Sequence, residues 1–139
     1  HTKDALGAIP RLRDLGVEPF LLAASLRLVA AQRLVRRLCP ECKTLHRENR
    51  RLAGQYQLPD AGFCQPAGCP ACKGRGYRGR LGLHEVLPAE KFLPLITANA
   101  PMAEFAALRA HEGYATLWQR GLGVAAAGAT SLEEVLRVL

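Results

Sequence analysis

Four of the five cysteines in this chain stand in two matching pairs, Cys39 with Cys42 and Cys69 with Cys72, at a spacing that suits metal ligation. A C-x-x-C turn aims two sulfurs at one point while the backbone curls around them. Two such turns complete a tetrahedral all-sulfur site of the kind that zinc prefers. Pro40 and Pro70 occupy the same place in each turn and stiffen it, and Gly74 and Gly76 follow the second, where the chain must reverse. Four thiolates leave no open position for water, so the expected ion is structural rather than catalytic. Such a site contributes roughly 10–16 kcal/mol to folding. A rival set takes Cys39, Cys42 and His46, with Cys64 near by. The repetition of the first turn by the second favours Cys69 and Cys72, which leaves Cys64 as a packed thiol and His46 as an exposed loop residue. Disulfides or uncoupled core thiols are the remaining readings of the cysteines; without a secretory signal, the pattern reads as metal ligation in a reducing compartment.

The elements that must position these cysteines follow from the surrounding pattern. The chain has 139 residues, enough for one domain or two small ones. It contains no run of 18 apolar residues, so no transmembrane helix is expected, and its first residues lack a basic-then-apolar signal. It begins without Met, as a fragment or processed product would. Residues 1–80 carry 15 Lys and Arg against 6 Asp and Glu, whereas residues 81–139 carry 4 against 6. The basic half points to anionic partners or to a solvated arginine-rich face.

Residues 4–16 read as a short helix, with Asp4 as N-cap and Gly16 as stop, kinked by Pro10 or starting near it. Residues 19–38 read as the clearest helix: Pro19 suits the first turn, and Leu22, Leu26, Val29, Ala30, Leu34 and Leu38 make one apolar stripe. Residues 39–80 resemble an insertion, with a short helix within RENRRLAGQYQ and a turn-rich LPDAGFCQPAGCP. LGLHEVL, 81–87, reads as a short strand, and helices are expected near 88–98, 101–112 and 114–127. A last helix is announced by Ser131 and Glu134 in a capping-box pattern. His84 reads as a structural residue on a half-buried strand, and His111 and Trp118 as helix packing.

Taken in order, these stretches resemble one family. HTKDALGAIPRLRDLGVEPFLLAASLRLVAAQRLVRRLCPEC resembles the C-terminal half of the type II secretion and type IV pilus assembly ATPases, with their His box, the phrase GVEPFL and the QRL element that precedes the first cysteines. GCPACKGRGYRGRLGLHEVL, GYATLWQRGLGV and TSLEEVLRVL extend the likeness over nearly the whole chain. The resemblance implies an α/β fold: the C-terminal portion of a RecA-like ATPase in fragment form, mostly helical with few short strands and a zinc-binding insertion. It implies three stretches: 1–38 as the trailing part of the ATPase core, 39–80 as the tetracysteine subdomain, and 81–139 as a closing strand and helical subdomain. It implies a homo-hexameric ATPase that uses ATP and Mg, cytoplasmic and peripheral to the inner membrane, with inner-membrane platform and cytoplasmic adaptor proteins as partners. His1 matches the His-box histidine near the nucleotide phosphates, a catalytic and nucleotide-binding role, and Arg33 lies in the QRL element as nucleotide support or subunit contact. Lys3 stands where the family usually has Asn. Cys39, Cys42, Cys69 and Cys72 match the family's zinc ligands. The phosphate-binding loop and acidic boxes are absent from these residues, so this segment alone is expected to be inactive as an ATPase.

Two rivals remain. A zinc-ribbon nucleic-acid binder would use the two turns, the basic flanks and Tyr77, although so few aromatics make a stacking platform hard to build, and no nucleic acid is expected. A chaperone-type zinc module would fit CPACKGRG, yet it needs four copies of that repeat.

Overall fold

The computed structural model describes residues 2–139, and His1 lies outside the described residues. The chain is mixed α/β. In order come α1 (Ala8–Asp14), α2 (Pro19–Ser25), β1 (Leu28–Leu38), β2 (Thr44–Leu45), α3 (Asn49–Gln55), β3 (Cys64–Gln65), β4 (Tyr77–Pro88), α4 (Leu93–Thr97), α5 (Met102–His111), α6 (Leu117–Ala126) and α7 (Leu132–Val138). Short 3-10 turns cover Pro70–Cys72 and Ala89–Phe92. β1 pairs with β4, and β2 pairs antiparallel with β3, Thr44 opposite Gln65 and Leu45 opposite Cys64. The chain divides into two compact units, one of residues up to Gln32 with His84–Leu117, the other of Arg33–Leu83 with Trp118–Leu139.

The main departure from expectation is the helix over 19–38. It stops at Ser25, the backbone turns extended at Leu26 (φ −69°, ψ 128°), and Leu28–Leu38 is a strand. The apolar stripe at helical spacing is only partly buried: Leu22 and Leu38 are, but Leu34 is 47% exposed and Ala30 is exposed, and within the strand the buried residues include Val29, Ala31 and Val35. Those three alternate with exposed Leu28, Ala30, Gln32 and Leu34, the period of two that a strand presents. Two β-branched valines and a partner strand outweigh the alanines and leucines that favour a helix.

In the first unit, Asp4 Oδ1 accepts the Gly7 N–H at 2.9 Å just ahead of α1. Pro10 is the third residue of α1, where the missing N–H costs nothing, so the helix starts near it rather than kinking. Gly16 ends this segment at φ +86°. α2 packs on α4, and Ile9, Leu22, Phe92, Ile96 and Phe105 are buried, with the Phe92 and Phe105 rings parallel at 6.2 Å. Pro94 sits in the first turn of α4 and divides it from the preceding 3-10 turn, as a proline should. His111 does not pack: its side chain is 83% exposed at the end of α5. His84 is likewise exposed on β4, between buried Leu83 and Glu85.

The second unit builds a core from α3, α6 and α7. Leu52, Ala53, Phe63, Ala125, Leu132 and Val135 form it. α6 comes close to its neighbours at Gly121, where any side chain would press on Val135, Leu139 and Leu83. Trp118 is only partly covered and meets Tyr56, ring centres 6.1 Å apart. Asn49 ties α3 to the following loop, donating to Ala61 O at 3.0 Å and accepting from Phe63 N–H at 2.9 Å. Ser131 caps α7 as its motif implies, accepting the Glu134 N–H at 3.1 Å.

Candidate metal centre

The two cysteine turns are built alike. After Cys39 the chain folds back so that the N–H groups of Cys42 and Lys43 both reach Cys39 O, at 3.3 and 3.0 Å. After Cys69 those of Cys72 and Gly74 reach Cys69 O, at 3.2 and 2.9 Å. Cys39 N–H donates to Gly76 O at 2.9 Å and so joins the turns to each other. Gly76 is needed twice over: its φ is +73°, and a Cβ there would collide with Pro66.

This arrangement brings the four sulfurs of Cys39, Cys42, Cys69 and Cys72 within 4.8 Å of one another. Cys39–Cys69 and Cys42–Cys72 are 3.8 Å apart, and Cys69–Cys72 3.7 Å. A tetrahedron with Zn–S bonds of about 2.3 Å has edges of about 3.8 Å. The spacing therefore fits ligands around one ion, and all five cysteines are unpaired. The rival ligands do not join them. Cys64 directs its thiol to Gly62 O at 3.4 Å. His46 is not an exposed loop residue: its side chain is 16% exposed, Nδ1 accepts the Glu48 N–H at 3.1 Å, and Nε2 faces Glu133 at 3.2 Å.

Burial pushes the Cys42 thiol up to about 11, the Gly68 N–H opposing this and the other three thiols adding to it. Burial also disfavours the Cys72 thiolate, but the N–H groups of Cys69 and Gly76 and the thiols of Cys69 and Cys42 outweigh it and bring that thiol down to about 6. Cys72 thus ionises more readily than its neighbour Cys42. Beside the turns, Arg36, Arg75, Tyr77, Arg78 and Arg80 line a groove of about 280 Å³. Arg78 lies 3.5 Å from Glu41, and Arg75 donates to Cys72 O at 3.3 Å.

Of the nucleotide-site residues expected from sequence, His1 lies outside the described residues, and Arg33 stands half-buried in the middle of β1. Two carboxylates are buried among the described residues, Glu85 and the capping-box residue Glu134. Glu85, in the first unit, is fully buried; it accepts from Arg109 Nη1 at 3.0 Å and from the Leu117 and Ala5 N–H groups at 3.4 and 3.5 Å. Arg109 Nη1 also holds Asp4 at 3.2 Å. Glu134, in the second unit, lies between Arg36 and Arg137; burial disfavours its charge, yet the hydrogen bonds from Arg137 and Arg36 hold its carboxyl down at about 2. The alternation Leu83, Glu85, Leu87 already placed Glu85 on a buried face, a signal present in the sequence.

Residues 1–137 match the family described as Type II/IV secretion system protein. Over 139 residues the chain is 45% identical to the type II secretion system protein E of Klebsiella pneumoniae, covering 99% of this chain and 28% of that protein. It is 40% identical to the type II secretion system ATPase E of Vibrio cholerae, with 99% and 28% covered. It is 41% identical to the type IV pilus assembly ATPase PilB of Myxococcus xanthus, with 98% and 25% covered. The chain thus spans little more than a quarter of the length of these relatives. No helix among the described residues is long and apolar enough to cross a membrane. With the match running from the first residues through both cysteine turns to α7, the chain belongs to the type II/IV secretion system protein family.

Proposed function

We propose that this chain is the C-terminal part of a cytoplasmic ATPase that drives type II secretion or type IV pilus assembly, and that its distinctive contribution is a structural zinc site. The observation that carries this reading is the convergence of Cys39, Cys42, Cys69 and Cys72 at tetrahedral spacing within a chain of this family. Zinc would be held by those four sulfurs. It would compensate the charge of the four thiolates and fix the segment between the turns, with no position left for catalysis.

In this reading residues 1–38 close a RecA-like core, His1 has the role of a nucleotide-site histidine, and Arg33 supports the nucleotide or a subunit contact. The intact protein acts as a hexamer on ATP and Mg, docked to platform and adaptor proteins at the inner membrane. ATP hydrolysis of this kind needs a glycine-rich phosphate cradle with its lysine, and KGRGYRGR is not one. The segment alone is therefore inactive.

The experiment is metal content and ATP turnover on the wild-type chain and on Cys69→Ser, purified without a metal-binding tag. One zinc per chain, lost in the variant, with no turnover in either, is the expected result. Folded, reduced wild-type protein without zinc would overturn the metal site, and Mg-dependent turnover would overturn the assignment of the segment.

A further inference from the structure

The segment Ala129–Glu134, at the start of α7, grips the strand ends that carry both cysteine turns. Leu38 N–H, directly before Cys39, donates to Ala129 O at 2.9 Å. Thr130 Oγ1 donates to Arg36 O at 2.7 Å. Glu134 Oε1 accepts the Arg36 backbone N–H at 2.9 Å, and Oε2 accepts Arg36 Nε and Nη2 at 3.0 and 2.7 Å. On the other side, Tyr77 directly follows Gly76, the residue whose carbonyl takes Cys39 N–H and whose N–H reaches Cys72 Sγ at 3.1 Å. Tyr77 Oη lies 2.7 Å from Ser131 Oγ, and the Arg36 guanidinium covers the Tyr77 ring at 4.1 Å. Glu134, Thr130 and Ser131 are each buried to 1% exposure or less.

We infer that Glu134, Thr130 and Ser131 are positioning residues for the metal centre: they fix the strand end entering the first turn against the one leaving the second, and so set metal affinity from a helix that contributes no ligand. The inference rests on the zinc reading above. Three features favour it over plain helix docking. Three of the contacts are to strand backbone, at Arg36 N–H, Arg36 O and Leu38 N–H, beside those to the Arg36 and Tyr77 side chains. They fall on Arg36, Leu38 and Tyr77, within three residues of Cys39 and one of Gly76. And both strand ends are held by one short segment, which adds a clamp to the β1–β4 pairing and the Cys39–Gly76 bond. Outer partners that orient ligands typically change metal affinity about 10–100-fold when removed. Because coupling between two sites is reciprocal, bound metal must also steady α7.

The test is zinc affinity by competition with a chromophoric chelator, together with the rate of zinc release, on the full chain. The variants are Glu134→Gln, Tyr77→Phe and Thr130→Val, with Val135→Ala as control. Val135 is buried in the same helix and lies in the apolar core, so its truncation lowers stability without touching the grip. The expected result is about tenfold or more loss of affinity and faster release in Glu134→Gln, several-fold losses in the two milder variants, and an affinity close to wild type in folded Val135→Ala. Cobalt-loaded Glu134→Gln should keep thiolate charge-transfer bands but show altered d–d bands. Should Glu134→Gln fail to fold, Tyr77→Phe and Thr130→Val decide the matter. Unchanged affinity in the folded grip variants, or an equal loss in Val135→Ala, overturns the inference while leaving the zinc reading intact. Absence of zinc from wild type overturns both.

Discussion

Glu85 is a carboxylate with no exposure at all, and among the described residues its strong partner is Arg109. Substituting Arg109 by Met keeps most of the stem's packing and removes the cation. The two backbone N–H groups left to Glu85, at 3.4 and 3.5 Å, are at the long end of hydrogen bonding and cannot replace a charge-assisted bond. Breaking a buried pair by removing one partner costs about 3–5 kcal/mol, because the other charge stays buried alone. Arg109 also releases Asp4, but Asp4 is 37% exposed and water takes over there, so that share is about 0.5 kcal/mol. The expected loss for Arg109→Met is therefore about 3–4 kcal/mol.

The converse change is milder. Glu85→Leu leaves Arg109 with Asp4 and some solvent and strands two weakly bound N–H groups, for about 2 kcal/mol. If the cost of Arg109→Met is the abandoned charge, the double variant must recover most of it and cost about 2–3 kcal/mol, a coupling of about 3 kcal/mol. The assay is urea unfolding of the four zinc-loaded proteins, followed by circular dichroism. Additive costs, with coupling under about 0.5 kcal/mol, would refute the claim that this carboxylate depends on that arginine.

Further outcomes follow from the same geometry. Gly76→Ala combines a left-handed backbone with a collision against Pro66 and should abolish stoichiometric zinc binding, read by metal analysis. The Glu134 carboxyl sits below its unfolded value, so its stabilisation is present in full above about pH 4.5 and is lost as pH falls toward about 2. With Arg36 and Arg137 half-exposed and screened, that share is about 2 kcal/mol; the stability gap between wild type and Glu134→Gln should close over that range in acid titrations. Chelation of zinc at neutral pH should raise amide exchange across Cys39–Gly76 and, less strongly, in α7, measured by mass spectrometry.

The paired cysteines are legible in the sequence and the partners of the buried carboxylates are not, and the reason is the range of the forces involved. C-x-x-C turns are local: four residues with their proline state where two sulfurs point, whatever the rest of the chain does. The α7 cap is local too, since Ser131 and Glu134 meet within one turn. Glu134's second task is not local. It reaches Arg36, 98 positions away, and a capping-box pattern carries no hint of that partner. The strand over Leu28–Leu38 was hidden for the same reason. LRLVAAQRLVRRL satisfies both periods, its alanines and leucines favour a helix in isolation, and only the pairing with β4 selects the extended form.

That choice of strand over helix bears directly on the metal centre. A helix ending at Leu38 would present its last residues on a curved surface, with carbonyls at its end seeking donors. A strand instead offers backbone N–H and C=O groups sideways, and the Ala129–Glu134 segment takes up those of Arg36 and Leu38. The first cysteine turn thus starts from a fixed edge. Across the gap, Gly76 O receives Cys39 N–H, and Tyr77 lies under Arg36. The sulfurs converge because two strand ends, held side by side, lead into and out of the turns. The segment between the turns has strands of just two residues and is otherwise held by the Asn49 bonds, the packing of α3 and Phe63, and bonds of Lys43 and Gly62 to the end of α6 and the loop after it. Loss of zinc should therefore loosen that segment before the strand ends themselves give way.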